Sequence, residues 1–129
     1  MKYVLLIYGN PTEWLHPVYL HPAERLTSSE REELEKIDRA LMDETARRGE
    51  LIEGVPLAEP GATKTVRVRG DGVTITDGPY AETKEQLAGY FVFDCESEER
   101  ALEIATRYPG SRHGTIEVRR IMDLSGMEM

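Results

Sequence analysis

Hydrophobic and polar positions along the chain follow two periods, one typical of strands and one of helices. The continuous apolar run over residues 2–8 predicts a strand buried on both faces, and therefore central in a sheet. Apolar and polar residues alternate over residues 64–76 on both sides of Gly70-Asp71-Gly72, a typical turn sequence. This pattern predicts a β-hairpin. One face of this hairpin carries Val66, Val68, Val73 and Ile75. Further strands are predicted over residues 51–55, 89–95 and 114–121.

Two stretches carry apolar residues at helical spacing. In the first, residues 29–48, Ser29 is the predicted N-cap and Gly49 the predicted stop. Its apolar face is formed by Leu34, Ile37 and Leu41. The second helix is predicted to begin after Ser97, a good N-cap residue. Residues 10–27 show no clean period and are predicted to form a loop.

The predicted element order is β-α-β-(hairpin)-β-α-β, which without the hairpin is the ferredoxin-like α+β plan. Two helices cover one face of such a sheet. The other face would carry apolar residues, and leaving them in water costs about 25 cal/mol per Å². We therefore expect a homodimer, a dimeric α+β barrel made by two sheets packed face to face. A single domain over residues 1–124 is predicted, with a frayed tail at 125–129.

Composition narrows the possible partners and compartment. The 129 residues fit one domain, and 24 acidic against 16 basic residues give a net charge of −8. This charge argues against nucleic-acid binding and against docking on an anionic membrane. The first apolar run is too short for a membrane span and lacks a cleavage pattern, so we expect a cytoplasmic protein. Cys95 is predicted to be a small core residue rather than a catalytic thiol.

The segment after the hairpin concentrates polar chemistry. Asp77-Gly78-Pro79 is typical of a turn that redirects the chain. The alternative is a site, because Asp77 could serve as a general base and a loop of fixed polar groups beside an apolar cleft can bind a small molecule. The loop residues that we assign to ligand binding are Pro79, Glu82 and Lys84.

Three other side chains complete the candidate site. His113 precedes the last strand, and its imidazole suits proton transfer, although an ordinary loop histidine is the alternative. It would pair with Asp77 only if the two loops meet at one end of the sheet. Tyr8 and Tyr90 lie in apolar strands, where each could direct a hydroxyl into a cleft or pack in the core with a polar tip.

We expect neither a metal nor a cofactor. His16 and His21 are five residues apart and each precedes a proline, whereas metal-binding pairs on a helix prefer spacings of three or four.

The segment Asp77–Glu85, which reads Asp-Gly-Pro-Tyr-Ala-Glu-Thr-Lys-Glu, resembles the signature of the DGPF branch of the YCII-related family. Tyr80 stands where that family usually has Phe. The likeness extends to the opening strand, to Thr65–Arg69 and to the ending Arg112–Arg119. The resemblance implies a dimeric α+β barrel. It also relates the chain to proteins that have been proposed to be enzymes with a His–Asp pair. Genes of such relatives lie beside genes of extracytoplasmic-function sigma factors.

Two functions follow as hypotheses. In the first, the protein is a homodimer that binds a small molecule, either as a binding protein only or as a cofactor-free acid–base enzyme that acts through Asp77 and His113. In the second, it is a non-catalytic accessory or interaction module associated with sigma-factor regulation. The first requires an enclosed pocket with convergent titratable groups, and carboxylates that all face solvent would weaken it.

Overall fold

A computed structural model of the chain describes residues 1–10, 27–81, 83–112 and 114–125, with the Arg112 side chain left out. Within these residues the order of the predicted strands and helices is confirmed. The elements are β1 (Lys2–Gly9), α1 (Ser28–Arg47), β2 (Leu51–Pro56), β3 (Lys64–Arg69), β4 (Gly72–Asp77), β5 (Gln86–Asp94), α2 (Glu98–Arg107) and β6 (Thr115–Arg120). Short 3₁₀ turns lie at Pro60–Ala62 and Pro109–Arg112.

The main sheet is antiparallel and has the strand order β2-β5-β1-β6. The apolar run in β1 therefore occupies a central strand, as predicted. Each helix connects two strands that are separated in the sheet by a third, an arrangement consistent with a ferredoxin-like α+β fold. Strands β3 and β4 form a separate two-stranded sheet, the hairpin.

Both helices pack on one face of the main sheet. The helix-facing side of β1 contributes Tyr3, Leu5 and Ile7 to the core. Leu41 of α1 and Ile104 of α2 belong to the same buried cluster, so one core holds sheet and helices together. The remaining buried members of the cluster are Ala88, Phe93, Cys95, Ala101, Ala105 and Tyr108. The predicted burial of Cys95 is thus confirmed, and burial raises the pKa of its thiol.

The opposite face of the sheet, called here the open face, is apolar at its centre. Strand alternation places Val4 and Leu6 on this face, directly opposite Val92 and Tyr90 of β5. All four side chains are only half-buried. No helix among the described residues covers them, in line with the expectation that two helices leave one sheet face unpacked.

Two predicted boundaries were wrong. Helix α1 is capped by Thr27 and not by Ser29: Thr27 Oγ1 accepts from the Glu30 amide at 3.1 Å, and Glu30 Oε1 accepts from the Thr27 amide at 3.3 Å. Strand β5 begins at Gln86, not at residue 89. Gln86 pairs with Gly9 beyond a β-bulge, so pairing with the long central strand extends β5 by three residues, Gln86–Ala88.

An ion-pair network with a buried centre and a partly exposed edge, the Arg100 cluster, ties α2 to α1 and to the start of β2. Arg100 Nε and Nη2 donate to the two Glu50 carboxylate oxygens, each at 2.8 Å, and Nη2 also donates to Glu44 at 2.9 Å. Arg107 binds Glu44 through two donors at 2.8 and 3.0 Å. Hydrogen bonds, first from Arg107 and then from Arg100, lower the pKa of Glu44 to about 2. Those from Arg100 lower the pKa of Glu50.

Candidate functional site

A groove of about 570 Å³ lies between the base of the hairpin and the end of the main sheet where β5 begins. Among the residues that line it, Glu59 and Lys64 carry charge and Gln86 adds an amide. Its apolar lining includes Leu57, Pro60, Val66, Pro79, Tyr80 and Leu87. This volume and a largely apolar lining with few polar groups are typical of sites for small organic molecules.

The Asp77-Gly78-Pro79 turn shapes one wall of the groove. Gly78 has a φ of +91°, which a residue with a side chain rarely adopts. Its amide donates to the Thr63 carbonyl at 2.7 Å, and its carbonyl accepts from Thr65 Oγ1 at 2.8 Å. These bonds tie the turn to the start of β3 and bring Pro79 into the groove lining. The turn-building role predicted for this motif is therefore what the geometry shows.

Asp77 itself is solvated. It is the last residue of β4 and lies opposite Lys64 of β3, whose ammonium group donates to its carboxylate. The Asp77 side chain is 85% exposed and is not part of the groove lining. A carboxylate in this position lacks the enclosure that general-base catalysis usually uses.

The rest of the loop is held by its own hydrogen bonds. Gln86 Nε2 donates to the carbonyls of Ala81 and Thr83 at 2.9 and 3.2 Å. Lys84 is exposed and does not line the groove. Glu82 lies outside the described residues. Of the three loop residues predicted to bind a ligand, Pro79 is thus the one that the structure places in the groove lining.

The loop and the start of β6 meet at one end of the sheet. Tyr8 pairs with Leu87 of β5 and with Thr115 of β6, and Thr115 Oγ1 donates to Glu85 Oε1 at 3.1 Å. The topology therefore brings the two loop regions together, which the Asp77–His113 hypothesis required. His113 lies outside the described residues, and its pairing with Asp77 stays a prediction.

Tyr8 and Tyr90 are half-buried residues of the main sheet and do not line the groove. Tyr90 lies opposite Leu6, on the open face. The pKa of Tyr8 is raised, chiefly by its hydrogen bond with the Glu117 carboxylate and then by burial. In such a bond the tyrosine hydroxyl is the donor, because an ionised carboxylate only accepts.

Tyr80, which the sequence reasoning treated only as a departure from the family signature, is exposed at the groove. Its side chain is 77% exposed, and the Arg67 guanidinium lies 4.9 Å from its ring centroid. It lines both the groove and a second cavity of about 230 Å³ beside the polar hairpin residues. The available signal was its position in a loop directly after Gly78-Pro79, because loops run over the protein surface.

A second pair of titratable groups was also missed, on the helix-covered side of the sheet. Burial raises the pKa of Asp38 in α1. Tyr108 is 2% exposed and its hydroxyl has no hydrogen-bond partner among the described residues. Burial, and secondarily the charge of Asp38, raise the pKa of Tyr108. Asp38 lies four residues after Leu34, on the apolar face of α1. A charged residue on that face was the sequence signal for this pair.

In the part of the chain that the structure describes, no group of three or more His, Cys, Asp or Glu side chains could hold a metal ion. His16 and His21 lie outside that part. None of its helices is both long and apolar enough to cross a membrane.

Fold and groove together define a small α+β domain of ferredoxin-like plan with an appended hairpin. Comparison with known proteins agrees: the model of the YCII-related domain matches residues 1–125, so the chain belongs to the YCII-related family. It is also 35% identical, over 95 residues, to an uncharacterized protein of Rhizobium meliloti (strain 1021). That alignment covers 70% of this chain and 77% of the relative.

Proposed function

We propose that this protein is a YCII-related homodimer of the DGPF branch that binds a small organic molecule in the groove beside the hairpin. The observation that carries the proposal is the lining of the groove, which combines apolar side chains with Lys64, Glu59 and Gln86. The branch assignment rests on the likeness of residues 77–85 to the family signature. In this chain the described residues of that segment form the turn and loop beside the groove.

The composition of the groove indicates the class of ligand. Leu57, Val66 and Leu87 offer an apolar surface, and the exposed ring of Tyr80 can stack on a flat molecule. The Lys64 ammonium group, although paired with Asp77, has further hydrogens that it can donate to a carboxylate or carbonyl oxygen. The Gln86 amide nitrogen already donates to Ala81 and Thr83, so this side chain offers its carbonyl oxygen as an acceptor. A small, largely apolar molecule with one anionic or carbonyl group fits this lining best.

The open face of the sheet supports the proposed homodimer. Half-buried apolar side chains at its centre, such as Leu6 and Val92, lose contact with water when a second sheet packs on them. Two copies packed in this way form the dimeric α+β barrel expected from the sequence. A twofold axis would let the same surface on each copy cover the other.

Binding is proposed ahead of catalysis. A cofactor-free proton transfer needs a base enclosed with the ligand, and the Asp77 carboxylate is in solvent beside Lys64. Asp38 and Tyr108 have the buried environment that Asp77 lacks, but they belong to α1 and to the core and do not line the groove. The groove therefore supports ligand binding more strongly than acid–base chemistry at Asp77.

Native mass spectrometry of the purified protein, with a denatured control, tests the proposal. The wild type is expected as a dimer that carries extra small-molecule mass and releases it on heating. Ala62→Trp places an indole in the groove lining and should reduce the occupied fraction at least tenfold. Ala46→Trp, on the exposed surface of α1, is the matched control and should retain the bound mass.

Two outcomes would contradict ligand binding in the groove. Bound mass that persists in Ala62→Trp at the wild-type level would place the ligand elsewhere. A wild-type dimer without bound mass would remove the support for a ligand and favour the alternative, a non-catalytic accessory module.

A further inference from the structure

The second cavity, of about 230 Å³, adjoins the groove on the polar side of the hairpin. Three residues line both spaces: Thr65, Pro79 and Tyr80. The rest of the lining of the second cavity comes from Arg67, Thr74 and Thr76. Because the two cavities adjoin at Tyr80, a molecule that occupies the groove can extend past this ring into the second cavity.

The second cavity is lined by one cation and by hydroxyl groups. The pairing of β3 with β4 places its four hairpin side chains on the same face of the hairpin. Within the part of the chain that the structure describes, Arg67 forms no ion pair and donates no hydrogen bond, and its guanidinium contacts the Tyr80 ring. The hydroxyls of Thr74 and Thr76 are likewise without a protein partner there. These donors are therefore free to bind a ligand.

The Arg67 guanidinium is suited to an anionic oxygen group. Its planar fork of N–H donors matches two oxygens of a carboxylate or a phosphate, which gives a pair of charge-assisted hydrogen bonds. Contact with the Tyr80 ring restrains the Arg67 side chain, so less conformational freedom is lost when an anion binds. The hydroxyls of Thr74 and Thr76 can donate further hydrogen bonds to the same group.

The groove itself offers no comparable cation among its lining residues. Lys64 is already bound to the Asp77 carboxylate, and Glu59 adds a negative charge to the groove lining. Lys64 also lies on the other face of β3 from Arg67, because the two are three residues apart in one strand. Charge therefore favours a ligand that keeps its apolar body in the groove and its anionic end in the second cavity.

We propose that the protein recognises elongated molecules with a flat apolar body and an anionic end group, a carboxylate or a phosphate, and that Arg67 binds this end group in the second cavity. The body lies in the groove, and Tyr80 contacts the ligand where the two cavities meet. This assignment rests on the proposed groove ligand, and adds the chemical class of that ligand and the residue that determines its specificity.

Equilibrium dialysis against three probes with the same naphthalene body tests this preference. The probes are 2-naphthoate, 2-naphthyl phosphate and the neutral 2-naphthamide. The wild type should bind at least one of the two anions about tenfold more tightly than the amide, because a hydrogen-bonded charge pair is stronger than a neutral contact. The more tightly bound anion identifies the end group. Equal affinity for the amide and both anions, or no binding of any probe, would overturn the assignment.

Two variants of β3 test the role of Arg67. Arg67→Gln removes the cation and should weaken binding of the preferred anion about tenfold, whereas its affinity for 2-naphthamide should stay within about twofold of the wild type. Arg69→Gln is the matched control, because it removes the same charge from the same face of β3 but lies outside both cavity linings. Its affinity for every probe should stay within about twofold of the wild type. Both positions are exposed, so circular dichroism should show both variants folded. An equal loss of anion binding in the two variants would be a general charge effect and would refute the role of Arg67.

Ala62→Trp separates the end group from the groove. This variant should weaken the binding of all three probes, because each carries its naphthalene body into the groove. If it does so while Arg67→Gln affects anions and amide alike, the assignment of the end group is wrong and the proposed groove stands. If Arg67→Gln weakens only the anions while Ala62→Trp changes none of the affinities, the proposed groove is wrong and the anion site at Arg67 stands.

Discussion

Replacing Arg100 with Met should destabilise this protein more than any comparable change on the same helix. The Arg100 side chain is 6% exposed and lies against Glu50, whose side chain is 8% exposed. Methionine keeps the length and packing of the arginine stem but removes its donors. The substitution therefore leaves the Glu50 carboxylate buried with Arg48 as its remaining cation, at 3.5 Å.

The expected loss of stability follows from the burial of the Arg100–Glu50 pair. Removing one partner of a buried pair costs about 3–5 kcal/mol, because the other charge stays desolvated without compensation. With a urea m-value of about 2 kcal/mol per M, a loss of about 4 kcal/mol lowers the unfolding midpoint by about 2 M. Arg107→Met is the control, since Arg107 and Glu44 are 37% and 32% exposed. Such an exposed pair contributes about 0–1 kcal/mol, so the midpoint should fall by less than about 0.5 M.

Urea unfolding followed by circular dichroism measures both variants, at one fixed protein concentration because association would shift the midpoint. The double variant Arg100→Met/Glu50→Met removes both buried charges and should recover most of the lost stability. A midpoint for Arg100→Met no lower than that for Arg107→Met would refute the reasoning. So would a double variant as unstable as the single one.

Three further predictions concern pH, packing and thiol reactivity. The pKa of Glu44 is about 2 in the folded chain against an ordinary 4.5, so its contribution to stability is present above pH 4.5 and lost as the pH falls towards 2. Unfolding midpoints of Glu44→Gln should therefore fall less steeply than those of the wild type across that window, and parallel curves would contradict this. Gly89→Ala places a Cβ 2.7 Å from the Val55 carbonyl oxygen and should lower the melting temperature by several degrees. Gly61→Ala is the control, because its Cβ would lie 3.4 Å from its nearest neighbour, Glu59 Oε1, and it should change the melting temperature little. Cys95 is 1% exposed and burial raises its pKa, so a thiol reagent should modify it only in denaturant; rapid modification of the native protein would contradict this.

Local pattern was sufficient for most of the elements. The run over residues 2–8 predicted the central strand β1, and alternation around Gly70-Asp71-Gly72 predicted the hairpin. Ser97 was correctly predicted to cap α2, where its side chain accepts from the Arg100 amide. These features depend on neighbours within a few residues, so their periodicity and capping chemistry are visible in the chain itself.

The candidate site was predictable only in part. The motif Asp77-Gly78-Pro79 correctly marked the turn beside the groove, and Pro79 lines it. Asp77, the titratable residue of the motif, nevertheless lies outside the groove lining. The strand register places it opposite Lys64, thirteen residues earlier in the chain. Distance along the chain likewise hides the Arg100–Glu50 pair, which is fifty residues apart.

Sequence by itself determined which segments are strands and helices, which of their faces are apolar, and where the main turns lie. Tertiary structure alone decided which apolar faces are covered. The same alternation that buries Leu5 in β1 leaves Val73 of the hairpin 63% exposed, because β1 lies beneath the helices and the hairpin does not join the main sheet. Periodicity records that a face is apolar, but its burial depends on what the rest of the chain packs against it.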